Sequence, residues 1–267
     1  ELCTYLALIG KEHLPFVITK HNMEPFWKFP LAKLISRIVA RRSSKVICIT
    51  KSVKKYHIEH GLRAFKNKLN VITYGLEADK FANKKGETGL PSKGSNELIL
   101  GTIARLEKQK SLDFLLDMAA ELPHNVKLYI VGEGSLEEQL TDRIKELKLE
   151  DRVFLLGKRE DIPQLLNFFD VFVLTSQYEG LGLVLLEAMA CKSVICAHDN
   201  KYNREVLGDN GNYFMDMNDV ATSIDYLDRN SSVQKEKIKK NLERLKNEYN
   251  WDIVSEQYEV VMQQTRL

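Results

Sequence analysis

Short runs rich in β-branched residues alternate with helix-forming segments along the 267-residue chain, and that alternation limits the fold more than any other feature. Strands separated by helices pair in parallel, the helix serving as the crossover between neighbours. The class is therefore α/β. In the first part, strands are expected at residues 16–19, 45–50 and 70–73, with helices near 30–41 and 52–60. Three strands make a small open sheet, little for an independent domain. The chain opens on Glu1 and the apolar run Leu2-Cys3-Thr4-Tyr5-Leu6-Ala7-Leu8-Ile9, with no basic region in front. A signal peptide would need one, so the start is read as a cut inside a domain.

Residues 84–96 are polar and rich in Gly, Ser and Pro, the composition of an exposed linker. A boundary there gives a partial first domain over 1–93 and a second over 94–250. In the second, strands are expected at 98–103, 127–131, 153–156, 171–174 and 194–197. Helices fit between them at 111–121, 136–147, 162–169 and 183–191. Five strands with four helices make a doubly wound domain, whose ligands sit in the crevice at the carboxyl ends of the strands. The loops after those strands should carry the chemistry.

Charge and composition exclude several classes. A hydrophobic share of 44% and a charged share of 28% fit a globular protein with a core, and no apolar run approaches the ~18 residues of a membrane span. Cys3, Cys48, Cys191 and Cys196 lie in or beside apolar runs without zinc-site spacing, as expected of buried thiols in a reducing cytoplasm. The net charge of +2 hides an asymmetry. Residues 1–93 hold 18 Lys and Arg against 7 Asp and Glu, whereas the rest hold 21 against 30. Parts of opposite charge face different partners.

The most informative loop reads Ser176-Gln177-Tyr178-Glu179-Gly180-Leu181-Gly182-Leu183-Val184-Leu185-Leu186-Glu187-Ala188-Met189-Ala190. It follows a strand and opens a helix, so amides near residues 180–183 emerge from a helix N-terminus, a ready site for anionic or hydroxyl-rich ligands. Glu187 falls about one turn into that helix and Glu179 in the loop. The same stretch also fits a Gly turn and an amphipathic helix with two solvated glutamates. A second segment, Thr102-Ile103-Ala104-Arg105-Leu106-Glu107-Lys108-Gln109-Lys110-Ser111, is a strand end and a basic loop. There Arg105 offers a planar fork for phosphate oxygens and Lys110 a point charge.

This order of motifs resembles glycosyltransferase family 4, whose members have the GT-B fold of two Rossmann-like doubly wound domains; here the first would be incomplete. The resemblance implies that Glu187 holds the nucleotide ribose and Glu179 contacts the transferred sugar. It also implies that the amides of Gly180, Leu181, Gly182 and Leu183 hold sugar hydroxyls and phosphate, while Arg105 and Lys110 clasp the diphosphate. Gly157, Lys158 and Arg159 match a loop whose main chain reads the nucleobase edge, although the two basic residues also fit a solvated turn. His21, after the first strand, is similar to a histidine placed near donor sugar and acceptor; a structural role is the alternative. Tyr249-Asn250-Trp251-Asp252 and the amphipathic residues 253–261 resemble the terminal helix, 251–267, that returns to the first domain.

Several positions depart from the family pattern: Ala104 and Tyr74 replace Gly and Asn, Lys192-Ser193 follow Cys191, and Asn200-Lys201-Tyr202-Asn203 lacks a Gly-Gly before Glu205. Gly132-Glu133-Gly134 follows a strand but lacks the third glycine and closing acid of a dinucleotide site. No Asp-x-Asp occurs, and neither metal nor cofactor is expected. His57 and His60, three apart with no third ligand near, are expected at the surface.

The implied activity is retaining transfer from a UDP-, GDP- or ADP-sugar to a saccharide or lipid-linked hydroxyl, in polysaccharide or glycolipid biosynthesis, with no nucleic-acid partner. A sugar-nucleotide epimerase of similar shape and a non-catalytic nucleotide-sugar-binding fragment are the alternatives. The segment 27–42, from Trp27 to Arg42, sets basic residues among apolar ones at helical spacing. It fits either a membrane-surface helix at the inner, cytoplasmic face or a domain helix with a solvated basic face.

Overall fold

A computed structural model describes residues 14–23, 28–82, 86–216, 219 and 231–265. The opening apolar run with Cys3, Trp27 and residues 84–85 of the expected linker lie outside them. The chain divides into two compact units, one running to Gly75 and including Glu179–Leu181 and the C-terminal stretch from Glu248, the other made of Leu76–Tyr178 and Gly182–Asn247.

In the first unit three parallel strands, β1 (Val17–Lys20), β2 (Lys45–Cys48) and β3 (Leu69–Val71), pair in the order β1-β2-β3. Helix α1 (Pro30–Arg42) starts with proline in its first turn, where the missing amide is harmless, and ends on Arg41 and Arg42, which complement the helix dipole. Lys68 reinforces that end, donating to the carbonyls of Arg41 and Ser43 at 2.7 Å each. Helix α2 (Lys51–His57) is capped by Thr50, whose hydroxyl accepts from the Val53 amide at 3.1 Å. His57 is buried and bonded to the Asn22 carbonyl, contrary to the expected surface position, while His60 is exposed and stacks on Tyr56. Burial pushes the His57 imidazole down to about 3. It packs there as a neutral ring, because desolvation penalises only the charged form.

The terminal helix of the chain groups with this unit. It starts at Trp251, where Asn250 accepts from the Asp252 amide at 2.9 Å. Val254 and Val261, two helical turns apart, bury against Ile47 and Ile72.

The second unit holds six parallel strands: β4 (Leu98–Ile103), β5 (Val126–Val131), β6 (Val153–Leu155), β7 (Val171–Leu174), β8 (Val194–His198) and β9 (Asn212–Phe214). Their order, β6-β5-β4-β7-β8-β9, reverses between β4 and β7. That reversal is the topological switch point of a doubly wound sheet. Crossovers are made by α3 (Leu112–Glu121), α4 (Glu137–Glu146), α5 (Ile162–Phe168), α6 (Leu183–Ala190) and α7 (Lys201–Leu207), and α8 (Ser232–Glu248) follows β9. Leu112, Leu115, Leu116 and Ala119 recur at the spacing of one helical face and meet Leu100, Leu128, Ile130 and Val171 of the sheet in one core. Each buried leucine contributes roughly 1.5–3 kcal/mol.

The strands and helices expected between residues 16 and 191 are present, their ends within three residues, and the terminal helix expected over 251–267 runs over Trp251–Gln263. Three further elements among the described residues were not expected, β9, α7 and α8: a three-residue strand is too short to show a period, and the two helices bury few apolar residues. The compact units divide at Gly75, ahead of the polar stretch at 84–96 where the boundary was expected. The reason lies in tertiary contacts that composition does not encode: Cys191 Sγ meets the Phe81 carbonyl, Arg159 donates to the Thr88 carbonyl, and Lys93 pairs with Asp170.

Arg152 supports this core from below. Buried just before β6, it donates to the carbonyls of Ala119, Leu122 and Pro123, satisfying the C-terminal end of α3 with a cation. Replacing Arg152 by Met keeps the apolar stem and strands those carbonyls. Urea denaturation of Arg152→Met should show a loss of about 3 kcal/mol; an unchanged midpoint would contradict this role.

Candidate functional site

At the switch point the loops after β4 and β7 diverge, and three bonds tie them together. The Thr175 hydroxyl donates to the Lys110 carbonyl at 2.6 Å, the Gln177 amide to the Gln109 carbonyl at 3.1 Å, and the Gln109 side-chain amide to the Tyr178 carbonyl at 2.7 Å. Gln109 and Lys110 are thereby held against the β7 loop, with Arg105 earlier in the same β4 loop. Arg105 is exposed, in an ion pair with Glu107 at 2.8 Å. Pairs at such exposure are weak, so the guanidinium can exchange that partner for a phosphate. Lys110 is half-buried and ends a single helical turn, after which Ser111 takes a left-handed conformation with φ 51°. That uncommon geometry turns the chain sharply into α3.

The loops after β5 and β6 join the same array. The Leu106 amide donates to Glu133, the Leu136 amide to Leu106 and the Gly132 amide to Gly157, all through carbonyls at 2.8–3.0 Å. Gly132 has φ 138°, and a Cβ there would lie 1.9 Å from the Ala104 carbonyl oxygen, so only glycine lets the two loops lie this close. Gly157 is thus held by its carbonyl. Lys158 is exposed and faces Glu160 at 3.6 Å, whereas Arg159 is committed to Asp161 by two bonds and to the Thr88 carbonyl. The Arg159 guanidinium is used inside the fold.

Helix α6 begins on Gly182, in the left-handed region at φ 67°, without any side-chain cap and without an acidic residue in the first turn. Gly182 has no side chain to accept from the first amides, and the Leu185 amide turns back to the Gly182 carbonyl at 2.8 Å; a helix N-terminus of this kind attracts an anion. Leu183 is exposed beside them, and one turn on sits Glu187, the one charged residue in an otherwise apolar helix. Burial alone raises the Glu187 carboxyl above its ordinary value. A half-buried carboxylate of this kind is a strong acceptor for a hydroxyl donor.

Glu179, Gly180 and Leu181 group with the first unit, as does His21. Glu179 is buried at 7% exposure. His21 is exposed just beyond β1, its ring stacked with Tyr74 at 5.7 Å between centroids and its Nδ1 in a short contact with the Tyr74 hydroxyl. The tyrosine that departs from the expected family residue is thus the partner of His21. Missed in the sequence were Gln109, Thr175 and Asn200. Asn200 caps α7 through the amides of Tyr202 and Asn203 and donates to the Ser176 carbonyl at 2.9 Å. Asn before a short helix is a capping signal, but its reach to the β7 loop carries none. Among the described residues no group of three or more His, Cys, Asp or Glu is placed to hold a metal.

The six parallel strands, with their order reversing between β4 and β7, define a doubly wound α/β protein. The family model described as glycosyl transferases group 1 matches residues 88–249, and the chain belongs to that family. The Staphylococcus aureus (strain COL) poly(ribitol-phosphate) alpha-N-acetylglucosaminyltransferase is 32% identical over 176 residues, covering 63% of this chain and 36% of that protein. An Escherichia coli UDP-Gal:alpha-D-GlcNAc-diphosphoundecaprenol alpha-1,3-galactosyltransferase is 29% identical over 208 residues, covering 74% and 54%. The chain thus spans about a third to just over half the length of such curated relatives. Among solved structures, Anabaena HepE in complex with UDP superposes with a TM-score of 0.82 at 23% identity, over 97% of this chain and 75% of that one. A variant of S. aureus TarM in complex with fondaparinux, alpha-GlcNAc-glycerol and UDP gives 0.73 at 26%, over 92% and 50%. The fold is GT-B.

The Glu187 shift carries a testable sign. Its folded value lies above the unfolded one, so the native state holds the extra proton and stability falls as pH rises through the interval between the two. Glu187→Gln removes that penalty. The variant should melt higher than the parent at pH 7 and equally at pH below about 4; a lower melting point at pH 7 would show that the carboxylate is stabilised in place.

Proposed function

We propose that this chain acts as a retaining glycosyltransferase, moving a sugar from a nucleoside-diphosphate sugar to a hydroxyl acceptor in polysaccharide or glycolipid biosynthesis. Three observations support the reading: the β4 loop that carries Arg105 and Lys110 is tied to the β7 loop at the switch point, helix α6 after that loop starts without a side-chain cap, and Glu187 lies half-buried one turn into it. Those groups complement the two ends of a nucleoside diphosphate. Glu187 accepts the ribose hydroxyls, the first amides of α6 receive phosphate and sugar oxygens, and the main chain near Gly157 reads the base.

Arg105 and Lys110 act on the leaving group. As the bond from the anomeric carbon to the phosphate oxygen breaks, its electron pair stays on the diphosphate, and two cations aimed at that charge lower the barrier. The acceptor oxygen bonds to the anomeric carbon on the face just vacated, and its proton passes to the departing phosphate oxygen. Configuration is therefore retained. Glu179 holds the transferred sugar, and His21 acts near the sugar and the acceptor. No metal or cofactor takes part in this scheme.

Relatives narrow the choices. A uridine donor is favoured by the bound UDP of the TarM variant and by the name of the E. coli relative. A lipid-linked saccharide acceptor is suggested by that same name, and a cytoplasmic setting by the buried free thiols of Cys48, Cys191 and Cys196. No helix among the described residues is long and apolar enough to cross a membrane.

Calorimetric titration with UDP, GDP and ADP tests the donor site. One nucleotide should bind in preference, with affinity reduced about tenfold or more by Arg105→Ala and by Glu187→Ala, as expected for losing a charge-assisted contact. Failure of the folded protein to bind any of the three, or binding that neither substitution weakens, would refute the reading. Release of an isomerised nucleotide sugar without consumption of acceptor would turn it towards an epimerase.

A further inference from the structure

Residues 20–22, at the carboxyl end of β1, are held by several elements of the first unit. The Lys20 carbonyl accepts from the Ile49 amide at 3.2 Å, and the buried Lys20 ammonium donates to the Ser36 hydroxyl of α1 at 3.0 Å. The Asn22 carbonyl accepts from Nε2 of the buried His57, at the end of α2, at 3.2 Å. Gly180 packs against the main chain between them, where a Cβ would collide with the His21 carbonyl oxygen. With the backbone fixed in this way, the His21 side chain stays exposed, and its one hydrogen-bond partner among the described residues is the Tyr74 hydroxyl, at Nδ1. The two ring planes lie 11° from parallel with centroids 5.7 Å apart, so the hydroxyl reaches Nδ1 at the ring edge. Such a pair has two arrangements, O–H donating to Nδ1 or Nδ1–H donating to the phenol oxygen. The first is favoured on two grounds. A phenol is a stronger acid than a neutral imidazole N–H, and burial, with Tyr258 as the second cause, pushes the Tyr74 phenol above its ordinary value, so it keeps its proton. In the second arrangement that hydroxyl proton would have no acceptor among the described residues, at a cost that grows with burial.

We propose that Tyr74 is a positioning residue: it donates to His21 Nδ1 and fixes the neutral imidazole with its proton on Nε2, so that His21 presents a hydrogen-bond donor, and not a base, to an oxygen of the bound sugar substrate. The hydrogen bond made by one ring nitrogen decides which nitrogen carries the proton. The role towards substrate rests on the transferase reading above; the tautomer does not. A donor at this place agrees with a reaction in which the acceptor's proton leaves on the departing phosphate oxygen, since that step leaves no proton for His21 to take. It also gives a task to the tyrosine that stands where the family pattern has asparagine. A phenol brings a single donor on a rigid ring parallel to the imidazole, which sets the orientation of His21 together with its tautomer.

Long-range proton–nitrogen spectra of the full chain, with its histidines isotopically labelled and in alkaline buffer where the ring is neutral, test the assignment. His21→Ala identifies the His21 signals by their loss. The parent should show a single tautomer, protonated at Nε2, with Nδ1 unprotonated and hydrogen-bonded. Tyr74→Phe keeps the ring and removes the donor, and should shift Nδ1 to the position of a nitrogen without a hydrogen bond. Tyr56→Phe, at the tyrosine that stacks on His60, controls for loss of a hydroxyl and should leave the His21 signals in place; circular dichroism checks that each variant folds. A proton on Nδ1 in the parent, or an Nδ1 signal unmoved in Tyr74→Phe, would overturn the proposal. On the reaction, Tyr74→Phe should lower kcat/KM about tenfold, as for one lost hydrogen bond. In the His21→Ala background it should change nothing further, because it acts only through that ring; additive losses would overturn the positioning role. Absence of any sugar transfer would count against the transferase reading and leave the tautomer to be decided by the spectra, which need no substrate.

Discussion

Two strands almost seventy residues apart in the chain, β4 and β7, lie side by side, with Leu100 opposite Val171 and Gly101 opposite Phe172, and the rest of the second unit depends on that pairing. It is the place where strand order reverses, so the crossovers to either side leave the sheet in opposite directions and the loops at the carboxyl ends part. Backbone groups in the gap would be left without partners if the loops simply diverged. Instead Thr175, Gln177 and Gln109 join them, and the carbonyls of Glu133, Leu106 and Gly157 extend the array to the neighbouring loops. The loop ends at the switch point are thus joined mainly through main-chain groups.

That arrangement divides the work between stability and function. Carbonyl-to-amide bonds and Arg152 beneath the sheet hold the frame, while Arg105 is left exposed with only a surface ion pair and Glu187 is kept half-buried at the expense of its charged form. These two are the groups to which the proposed reaction assigns most. Arg159 illustrates the opposite case. Its two bonds to Asp161 and its bond to Thr88 make it part of the frame, although a basic residue in that loop reads from sequence as a ligand contact.

Much of the fold was legible because burial on both faces of a parallel sheet writes itself as short β-branched runs, as in Leu98–Ile103 and Val171–Leu174. What escaped had no period to show. The edge strand Asn212–Phe214 is three residues long, and the polar α8 lacks a continuous apolar stripe. The unit boundary escaped too, because residues 86–93 of the expected linker are tied down by Arg159 and Asp170, and Phe81 ahead of it by Cys191. In the site, the loops bearing Arg105, Lys110 and Glu187 could be located from sequence, since strand ends and a Gly-rich helix start are local signals. Gln109, Thr175 and Asn200 could not. Each is an ordinary polar residue whose importance arises from a partner more than twenty residues away.

Amide hydrogen exchange of the protein with and without saturating uridine diphosphate sugar tests most directly whether the switch point is the donor site. The account predicts slowed exchange in the loops after β4 and β7 and in the first turn of α6, with the amides of the β8–β9 edge of the sheet unchanged. Protection confined to another part of the second unit, or no protection under conditions where the ligand demonstrably binds, would contradict it.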